Sequence, residues 1–287
     1  PGLQRGDTAV STLVVYMMAE NSLAPYADVD IAEIRRGAVS LPSDCRLFVF
    51  VDDRDNPRLL KFVNNSGVCE EEVLYPFAND FCSSDATAFG AVLAGVLDDY
   101  PTLSLDLVLW SHGNGWLLDK SRAGAMRTIG VDNGKNSYSD RTVGAIEIEE
   151  LAAVIKELPA KVNRLMFDAC FMQGSEVAYA LRNAVQWLIG SPAEIPGDGA
   201  PYDTVIGEFF ASDGVKGIID SYKTAYEGGE MGVVLSDVYM PAMQRLADVS
   251  YSNVCTYLNS IKKRDYTDVF SYLPGNVRGL YGSMPCF

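Results

Sequence analysis

The chain has 287 residues, of which 48% are hydrophobic, enough for one large globular domain with a buried core. The formal net charge of −15 excludes the basic face that nucleic-acid binding requires, and the sequence has no polybasic segment for an anionic membrane. No run approaches the roughly 18 apolar residues of a membrane-spanning helix, and no signal peptide precedes the first polar residues.

Apolar runs alternate with amphipathic stretches along the chain. The predicted strands cover 13–18, 46–51, 105–110, 164–168, 185–189 and 232–235, with a hairpin across 59–63 and 71–75. The predicted helices cover 24–37, 86–100, 146–158, 202–210, 215–226 and 240–261, and another begins near Ser175. In the first helix, the apolar spacing puts Asp30 on the exposed face. This alternation predicts an α/β fold, a mainly parallel central sheet flanked by helices on both faces.

Two polar segments interrupt the alternation. The acidic stretch Asp52–Pro57 follows the second predicted strand, and we predict a solvated turn there rather than a metal site. The second segment, 120–144, is rich in glycine and includes Arg127 and Lys135. A stretch of this length without periodicity is uncommon inside a compact domain and is usually functional or disordered.

The cysteines and the single histidine exclude the usual zinc signatures, because no two cysteines have C-x-x-C spacing. The six are Cys45, Cys69, Cys82, Cys170, Cys255 and Cys286. If Cys170 is set aside, an odd number remains, which excludes a dense disulfide framework and leaves room for one bridge such as Cys69–Cys82. We predict no metal site and no cofactor.

Two predicted strands are followed by residues whose side chains can take part in catalysis. The strand at 164–168 continues into Ala169-Cys170, and the strand at 105–110 continues into His112 and Gly113. If these strands are parallel neighbours, both side chains emerge at the same edge of the sheet, on backbones about 4.8 Å apart. Alone, a buried cysteine or a lone histidine is more often structural. Together, an imidazole beside a thiol indicates nucleophilic catalysis.

Cys170 also precedes the helix that begins near Ser175, and the dipole of a helix N-terminus lowers the pKa of a nearby thiol. We therefore predict a lowered pKa for Cys170. The backbone N–H groups of Gly113 and Cys170 are candidates for an oxyanion hole. A serine hydrolase is disfavoured because the sequence contains no G-x-S-x-G motif.

The order His-Gly followed by Asp-Ala-Cys resembles the clostripain-like cysteine peptidases, which share the caspase-like clan CD with caspases, legumains and gingipains. The stretches 12–23 and 191–202 resemble that family's opening strand and substrate-pocket loop. The resemblance implies a caspase-like α/β/α sandwich over 1–237. It leaves 238–287 as a C-terminal helical extension or the start of a smaller subdomain, and it implies export from a bacterial cell.

The resemblance implies a cysteine endopeptidase that acts on protein or peptide substrates through His112 and Cys170 and forms an acyl-enzyme. It also implies cleavage after Arg or Lys, with Asp168 in the substrate pocket. The family's second pocket carboxylate falls where this sequence has Pro201, so Asp203 and Glu194 are candidates to replace it. Affinity for a basic side chain depends on one of them reaching the pocket.

Maturation in the resembled family cuts the chain between the catalytic residues, which makes Arg127 and Lys135 candidate self-cleavage sites. Some relatives use calcium, but the acidic clusters here lack the spacing of an EF-hand loop. Two alternatives stay open: a peptidase-like fold kept as an inactive binding module, and the same mechanism with cleavage after small or polar residues.

Overall fold

The computed structural model describes residues 3–53, 57–77, 81–115, 127–134, 144–229 and 232–260. The strands are β1 (Ser11–Met18), β2 (Cys45–Asp52), β3 (Arg58–Asn65), β4 (Val68–Pro76), β5 (Leu105–Trp110), β6 (Thr128–Asp132), β7 (Gly144–Glu147), β8 (Val162–Asp168), β9 (Val185–Gly190) and β10 (Ser236–Tyr239). The helices are α1 (Ala24–Gly37), α2 (Ala86–Asp99), α3 (Ile148–Lys156), α4 (Ser175–Leu181), α5 (Tyr202–Phe209), α6 (Gly214–Tyr226) and α7 (Met243–Ser260).

Eight strands form one sheet in the order β10-β9-β8-β5-β1-β2-β3-β4. The central run from β9 to β2 is parallel, while β10, β3 and β4 pair antiparallel at the two edges. Nearly every residue of β1, β2, β5 and β8 is buried, which explains their continuous apolar runs. The prediction of a mainly parallel central sheet is confirmed.

Helices cover both faces of this sheet. Val14 and Tyr16 of β1 face the core beneath α2, α3 and α4, whereas Leu13 and Val15 face the core beneath α1, α5 and α6. Successive side chains of a strand point to opposite faces, so one buried strand supplies both cores. The α/β/α sandwich predicted from the sequence is confirmed.

A buried ion pair joins β5 to β8. The fully buried Asp106 carboxylate accepts hydrogen bonds from Arg164 Nε at 2.9 Å and from Arg164 Nη2 at 2.5 Å. The Arg164 backbone N–H donates to the same carboxylate at 3.0 Å. The pair therefore fixes the register of the two strands that end before His112 and Cys170.

Two predicted elements need correction. The run 232–235 is not a strand. The strand that pairs with β9 is Ser236–Tyr239, because its place in the sequence is set by its register with Trp187–Gly190 and not by local propensity. The helix predicted over 146–158 begins at Ile148, since the residues before it pair with β6 as β7. Strand β6 lies inside the segment predicted to be irregular.

One further expectation is wrong, and one possibility that the sequence left open is not realised. Asp52 does not lie in a solvated turn: it is the last residue of β2 and is fully buried. Cys69 and Cys82 are both free, so the bridge for which the sequence left room is not formed.

Internal contacts divide the chain into one unit of Pro1–Gln244 and another of Arg245–Phe287. The second unit contains most of α7. The assignment of 238–287 as an extension or the start of a subdomain stays a prediction. Among the described residues, no helix combines the length and apolar character needed to cross a membrane.

Candidate active site

The strands that precede His112 and Cys170 are parallel neighbours, as the sequence predicts. Trp110 at the end of β5 stands opposite Asp168 at the end of β8. Both candidate residues therefore follow their strands by two positions at the carboxyl edge of the sheet. In open α/β sheets, this edge is where ligands bind.

Glycines let the two loops touch. A Cβ atom added to Gly113 would lie 2.8 Å from the Cys170 carbonyl oxygen, and one added to Gly115 would lie 2.0 Å from the Phe171 carbonyl oxygen. Gly115 also has a φ of +53°, which favours glycine, and Phe171 itself has a φ of 63°. The loop that carries His112 can thus lie directly against the loop that carries Cys170.

His112 and Cys170 line one cavity of about 140 Å³. Trp110 and Asp168 line it too, and the loop around Ile195 borders it. The remaining lining residues are Leu23, Ser111, Ala169, Pro196, Gly197 and Gly199. A carbonyl group inside this cavity would have a thiol and an imidazole beside it.

Burial has the largest effect on the pKa of the Cys170 thiol. The Ile195 N–H donates a hydrogen bond to Cys170 Sγ at 3.4 Å. Burial raises the pKa of Cys170; the Ile195 N–H opposes this rise, and the charges of Glu194 and Asp168 add to it. The predicted lowering of this pKa is therefore wrong, because α4 begins only at Ser175 and desolvation is the largest effect.

Ser22 holds the imidazole. Ser22 Oγ lies 2.8 Å from His112 Nε2, and burial lowers the pKa of His112, so the ring is a neutral base near pH 7. The sequence pattern did not single out Ser22. Its position after β1, the strand next to β5, was the available signal, because neighbouring parallel strands end at the same edge.

A network of side-chain bonds braces the loop after β1. Ser111 Oγ donates to the Met18 carbonyl at 2.8 Å. Asn21 Nδ2 donates to the same carbonyl and to the Val131 carbonyl, each at 2.8 Å. The ends of β1, β5 and β6 are thereby joined around His112.

Asp168 is a buried carboxylate with three donors. Its Oδ2 accepts from the Ala200 N–H at 3.1 Å and from the Tyr202 hydroxyl at 2.9 Å, and its Oδ1 accepts from the Tyr222 hydroxyl at 2.9 Å. Burial raises the pKa of Asp168, while these three hydrogen bonds favour the ionised form.

Asp30 is a second buried acid near this cavity, although the sequence predicts that it is exposed. Trp110 Nε1 donates to Asp30 Oδ2 at 2.7 Å. Burial raises the pKa of Asp30 to about 8, and the nearby charge of Asp168 contributes to that rise. No feature of the α1 pattern indicates this burial, which arises from packing against β5.

The other candidate pocket residues lie outside the cavity lining. Asp203 lies in the first turn of α5, and its carboxylate is 3.9 Å from Arg36 Nη2. Glu194 is exposed, and its charge raises the pKa of Cys170.

Of the two candidate cleavage sites, only Arg127 lies among the described residues. The Arg127 carbonyl accepts a hydrogen bond from the Ile148 N–H at 3.1 Å, whereas Lys135 lies outside the described residues.

A cysteine-type peptidase is the class of enzyme that this fold and the comparisons with known proteins define. The model of the clostripain family matches residues 15–267, most of the chain, and the chain belongs to that family. A comparison with curated protein sequences found no match.

Solved structures of bacterial C11 proteases share the fold. A secreted C11 cysteine protease from Bacteroides thetaiotaomicron, in complex with an irreversible peptide inhibitor, is 28% identical with a TM-score of 0.76, over 93% of this chain and 74% of that one. An inactive zymogen C11 protease from Parabacteroides distasonis is 28% identical with a TM-score of 0.72, over 86% and 66%. Iotapain, a secreted C11 cysteine protease from B. thetaiotaomicron, is 21% identical with a TM-score of 0.75, over 87% and 71%, and supports the fold alone.

Proposed function

We propose that this peptidase is a cysteine endopeptidase that uses Cys170 as nucleophile and His112 as proton carrier. The observation that carries the proposal is that both side chains line the same small cavity at the carboxyl edge of the sheet. The N–H groups of Gly113 and Cys170 are assigned to the oxyanion of the tetrahedral intermediate.

The protonation states define the order of proton transfer. Because the pKa of Cys170 is raised and that of His112 is lowered, the resting pair is a neutral thiol and a neutral imidazole at pH 7. His112 accepts the thiol proton as the S–C bond forms, then delivers it to the leaving amine as the peptide bond breaks. A water molecule that gives a proton to His112 then releases the acid and restores the thiol.

We infer cleavage after Arg or Lys. Asp168 lines the cavity, and its three hydrogen bonds favour the ionised form of its carboxyl group, whereas Asp30 behind Trp110, with a pKa of about 8, is mostly neutral at pH 7. A guanidinium or ammonium group there would interact with buried negative charge and with the face of the indole. Asp203 and Glu194 are not required for this assignment.

One observation favours the alternative of a non-basic preference. Burial raises the pKa of Asp168, and a protonated acid would hold a polar, uncharged side chain by a hydrogen bond. The alternatives differ in their response to Asp168→Asn. Loss of cleavage after Arg and Lys supports the charged pocket, whereas an unchanged preference supports the neutral one.

The test is a cleavage profile on a peptide library with purified wild type and Cys170→Ala. Cys69→Ala, a half-buried free thiol on β4, is the matched control and should cleave like wild type. Cleavage after Arg or Lys that Cys170→Ala abolishes is the expected result. Cysteine-dependent cleavage elsewhere retains the enzyme and discards the basic pocket. Absence of cleavage with either protein, even after the segment 120–144 has been cut, favours the inactive binding module.

We also propose that the chain cuts itself between His112 and Cys170. One of the similar structures is an inactive zymogen of a C11 protease, which supports an uncut precursor here as well. The bond after Arg127 directly precedes β6 and is flanked by hydrogen bonds, because the Thr128 N–H donates to Asn114 Oδ1 at 2.8 Å and the Arg127 carbonyl accepts from the Ile148 N–H. These bonds favour Lys135 over Arg127 as the cleaved residue.

Intact-mass analysis of wild type, Lys135→Ala, Arg127→Ala and Cys170→Ala tests the cleavage site. We expect two fragments from wild type and Arg127→Ala, and an uncut chain from Cys170→Ala and Lys135→Ala. Fragments from Cys170→Ala would indicate a contaminating protease and would contradict self-cleavage.

Export from a bacterial cell is part of the proposal, since the 28% identical C11 protease from Bacteroides thetaiotaomicron is described as secreted. Detection of the chain outside the cytoplasm of the bacterium that encodes it would support export.

The proposed substrates are proteins or peptides with an accessible basic residue. No organic cofactor is needed, because the thiol and imidazole supply the nucleophile and the proton transfer.

A further inference from the structure

Asp30 is a buried acid that the transfer of protons between Cys170 and His112 does not use. It lies on α1, is 1% exposed, and accepts a hydrogen bond from Trp110 Nε1 at 2.7 Å. Trp110 ends β5, is 2% exposed, and lines the same cavity as Cys170 and His112. The indole of Trp110 therefore connects the wall of the cavity to the carboxyl group of Asp30.

The acid in the cavity lining has little capacity left for a ligand. Among the described residues that line the cavity, Asp168 is the only acid. An ionised carboxylate offers about four acceptor positions. One position on Asp168 is taken by the Ala200 N–H and two more by tyrosine hydroxyls. A guanidinium group can therefore form about one further bond with Asp168, and a second negative charge nearby would strengthen its binding.

The surroundings of Asp30 keep it protonated in the free protein. Burial raises the pKa of Asp30 to about 8, the charge of Asp168 adds to the rise, and the Trp110 N–H opposes it. A positive charge beside the indole would lower this pKa and favour the ionised form. The titratable groups that interact with Asp30 are acids and tyrosines: Glu33 on α1, Asp168 on β8, Asp198 in the loop after β9, Tyr202 on α5, and Tyr222 and Tyr226 on α6.

We propose that Asp30 is a positioning residue for substrate selection, which holds the Trp110 indole in the cavity wall and becomes negatively charged when a basic side chain enters the cavity. The inference rests on the proposed function and deepens it, because it assigns part of the preference to a residue behind the cavity. The carboxyl proton of Asp30 passes to the buffer, so binding of one cationic side chain releases up to one proton.

Ionised Asp30 favours a basic side chain in two ways. The bond from Trp110 Nε1 becomes charge-assisted, which is roughly twice as strong as a neutral hydrogen bond. The negative charge behind the indole also adds to the attraction between the aromatic ring and a cation. A neutral side chain in the cavity gains neither contribution, so the ionisation of Asp30 separates basic substrates from neutral ones.

Two matched peptides separate this effect from the titration of the Cys170 thiol. They are identical except for Arg or citrulline at the cleaved position, two side chains of similar shape that differ in charge. Arg stays charged throughout, and the thiol titrates in both reactions, so the ratio of the two kcat/KM values reports on the pocket. We expect the wild-type ratio to rise by roughly 5–20-fold between pH 6 and pH 9.5, with a midpoint near 8.

Asp30→Asn keeps an acceptor for the Trp110 N–H but cannot ionise, so its ratio should stay low and nearly constant with pH. Asp28→Asn, an exposed acid on the same helix, is the matched control and should retain the rise. If Asp30→Asn does not fold, Asp30→Ser, which also cannot ionise, is measured instead. A rise that persists in the variant, or only moves to lower pH, would assign the titration to Asp168 and overturn the proposal. An equal loss of kcat/KM with both peptides, at an unchanged ratio, would mean a merely structural role and would also overturn it.

A binding measurement tests the proposal without cleavage. Cys170→Ala protein is titrated with each peptide at pH 7 in phosphate and in Tris, and the difference in heat between the two buffers gives the number of protons released. We expect about half a proton or more with the Arg peptide, almost none with citrulline, and almost none with either peptide when Asp30→Asn is added. Equal release with both peptides, or release unchanged by Asp30→Asn, would overturn the proposal. Wild type that cleaves neither peptide would contradict the proposed function, whereas cleavage at a ratio independent of pH would contradict the role of Asp30 alone.

Discussion

Burial acts in opposite directions on the two groups that face the cavity. It raises the pKa of the Cys170 thiol and lowers that of the His112 imidazole, so both shifts favour the neutral pair over the ion pair. A thiol is nucleophilic only as the thiolate, whose fraction grows as pH rises towards the thiol pKa. The free enzyme should therefore hold an unreactive thiol at acid pH.

Alkylation of Cys170 by iodoacetamide should consequently rise steadily from pH 6 to pH 9. At pH 6 it should be slower than alkylation of N-acetylcysteine, whose thiol has the ordinary pKa of about 8.5. Peptide mapping by mass spectrometry identifies the labelled residue, and Cys170→Ala gives the background. Fast labelling that does not change between pH 5 and pH 8 would mean a thiolate, as expected from the helix position alone.

Ser22 should act as a positioning residue for His112. Ser22→Ala removes the contact at Nε2, and the loss of one neutral hydrogen bond, about 0.5–1.5 kcal/mol, corresponds to a kcat lower by roughly 2–10-fold. KM should change little, because the residue holds the base rather than the substrate. Ser22→Thr, which retains the hydroxyl, should restore most of kcat. An unchanged kcat in Ser22→Ala, or a loss confined to KM, would contradict this role.

At the scale of elements, the Asp106–Arg164 pair joins the two strands on which the site depends. Asp106→Asn leaves the Arg164 guanidinium buried with a weaker partner. Removing one partner of a buried pair typically destabilises a protein by about 3–5 kcal/mol. The full loss is an upper limit, since the amide retains one acceptor.

Urea unfolding followed by circular dichroism measures this effect. We expect a clear fall in the free energy of unfolding for Asp106→Asn, with an unchanged slope against urea. The matched control is Asp220→Asn, whose partner Lys216 is exposed and whose loss should change little. Equal stability of the two variants would mean that the buried pair does not hold β5 against β8.

Strands that are buried on both faces are recognisable from local composition. β1, β2, β5 and β8 are almost wholly buried and consist largely of apolar residues, and the sequence pattern located all four. β6, β7 and β10 are short, and their positions depend on pairing with a partner distant in the sequence. Such register is a tertiary property, which explains why 232–235 was predicted in place of Ser236–Tyr239.

The candidate active site also contains residues that local sequence predicts and residues whose environment depends on tertiary packing. His112 and Cys170 follow recognisable strands, so parallel pairing alone predicts that they share an edge. Asp30 and Asp52 are acids, and local patterns assign acids to solvent, yet packing buries both of them. Their burial depends on contacts with Trp110 and with the ends of other strands, which no local window contains.

At the scale of the whole molecule, the net charge of −15 is expected to influence substrate encounter. Long-range attraction of a cationic peptide raises its local concentration near an anionic protein, and salt weakens this attraction because the Debye length falls to about 10 Å at 0.1 M. Asp168 in the cavity lining and the exposed Glu194 near Cys170 carry the same sign of charge at the site.

For a peptide with Arg at the cleaved position, kcat/KM should therefore fall by roughly 3–10-fold between 0.02 M and 0.3 M NaCl. The change should appear in KM, because the acyl-transfer steps take place among groups already inside the cavity. A peptide with Gln at that position and no other charge is the control, and its kcat/KM should stay nearly constant. Equal salt dependence for both peptides would indicate an effect on the enzyme itself and would remove the charge of the substrate from the explanation.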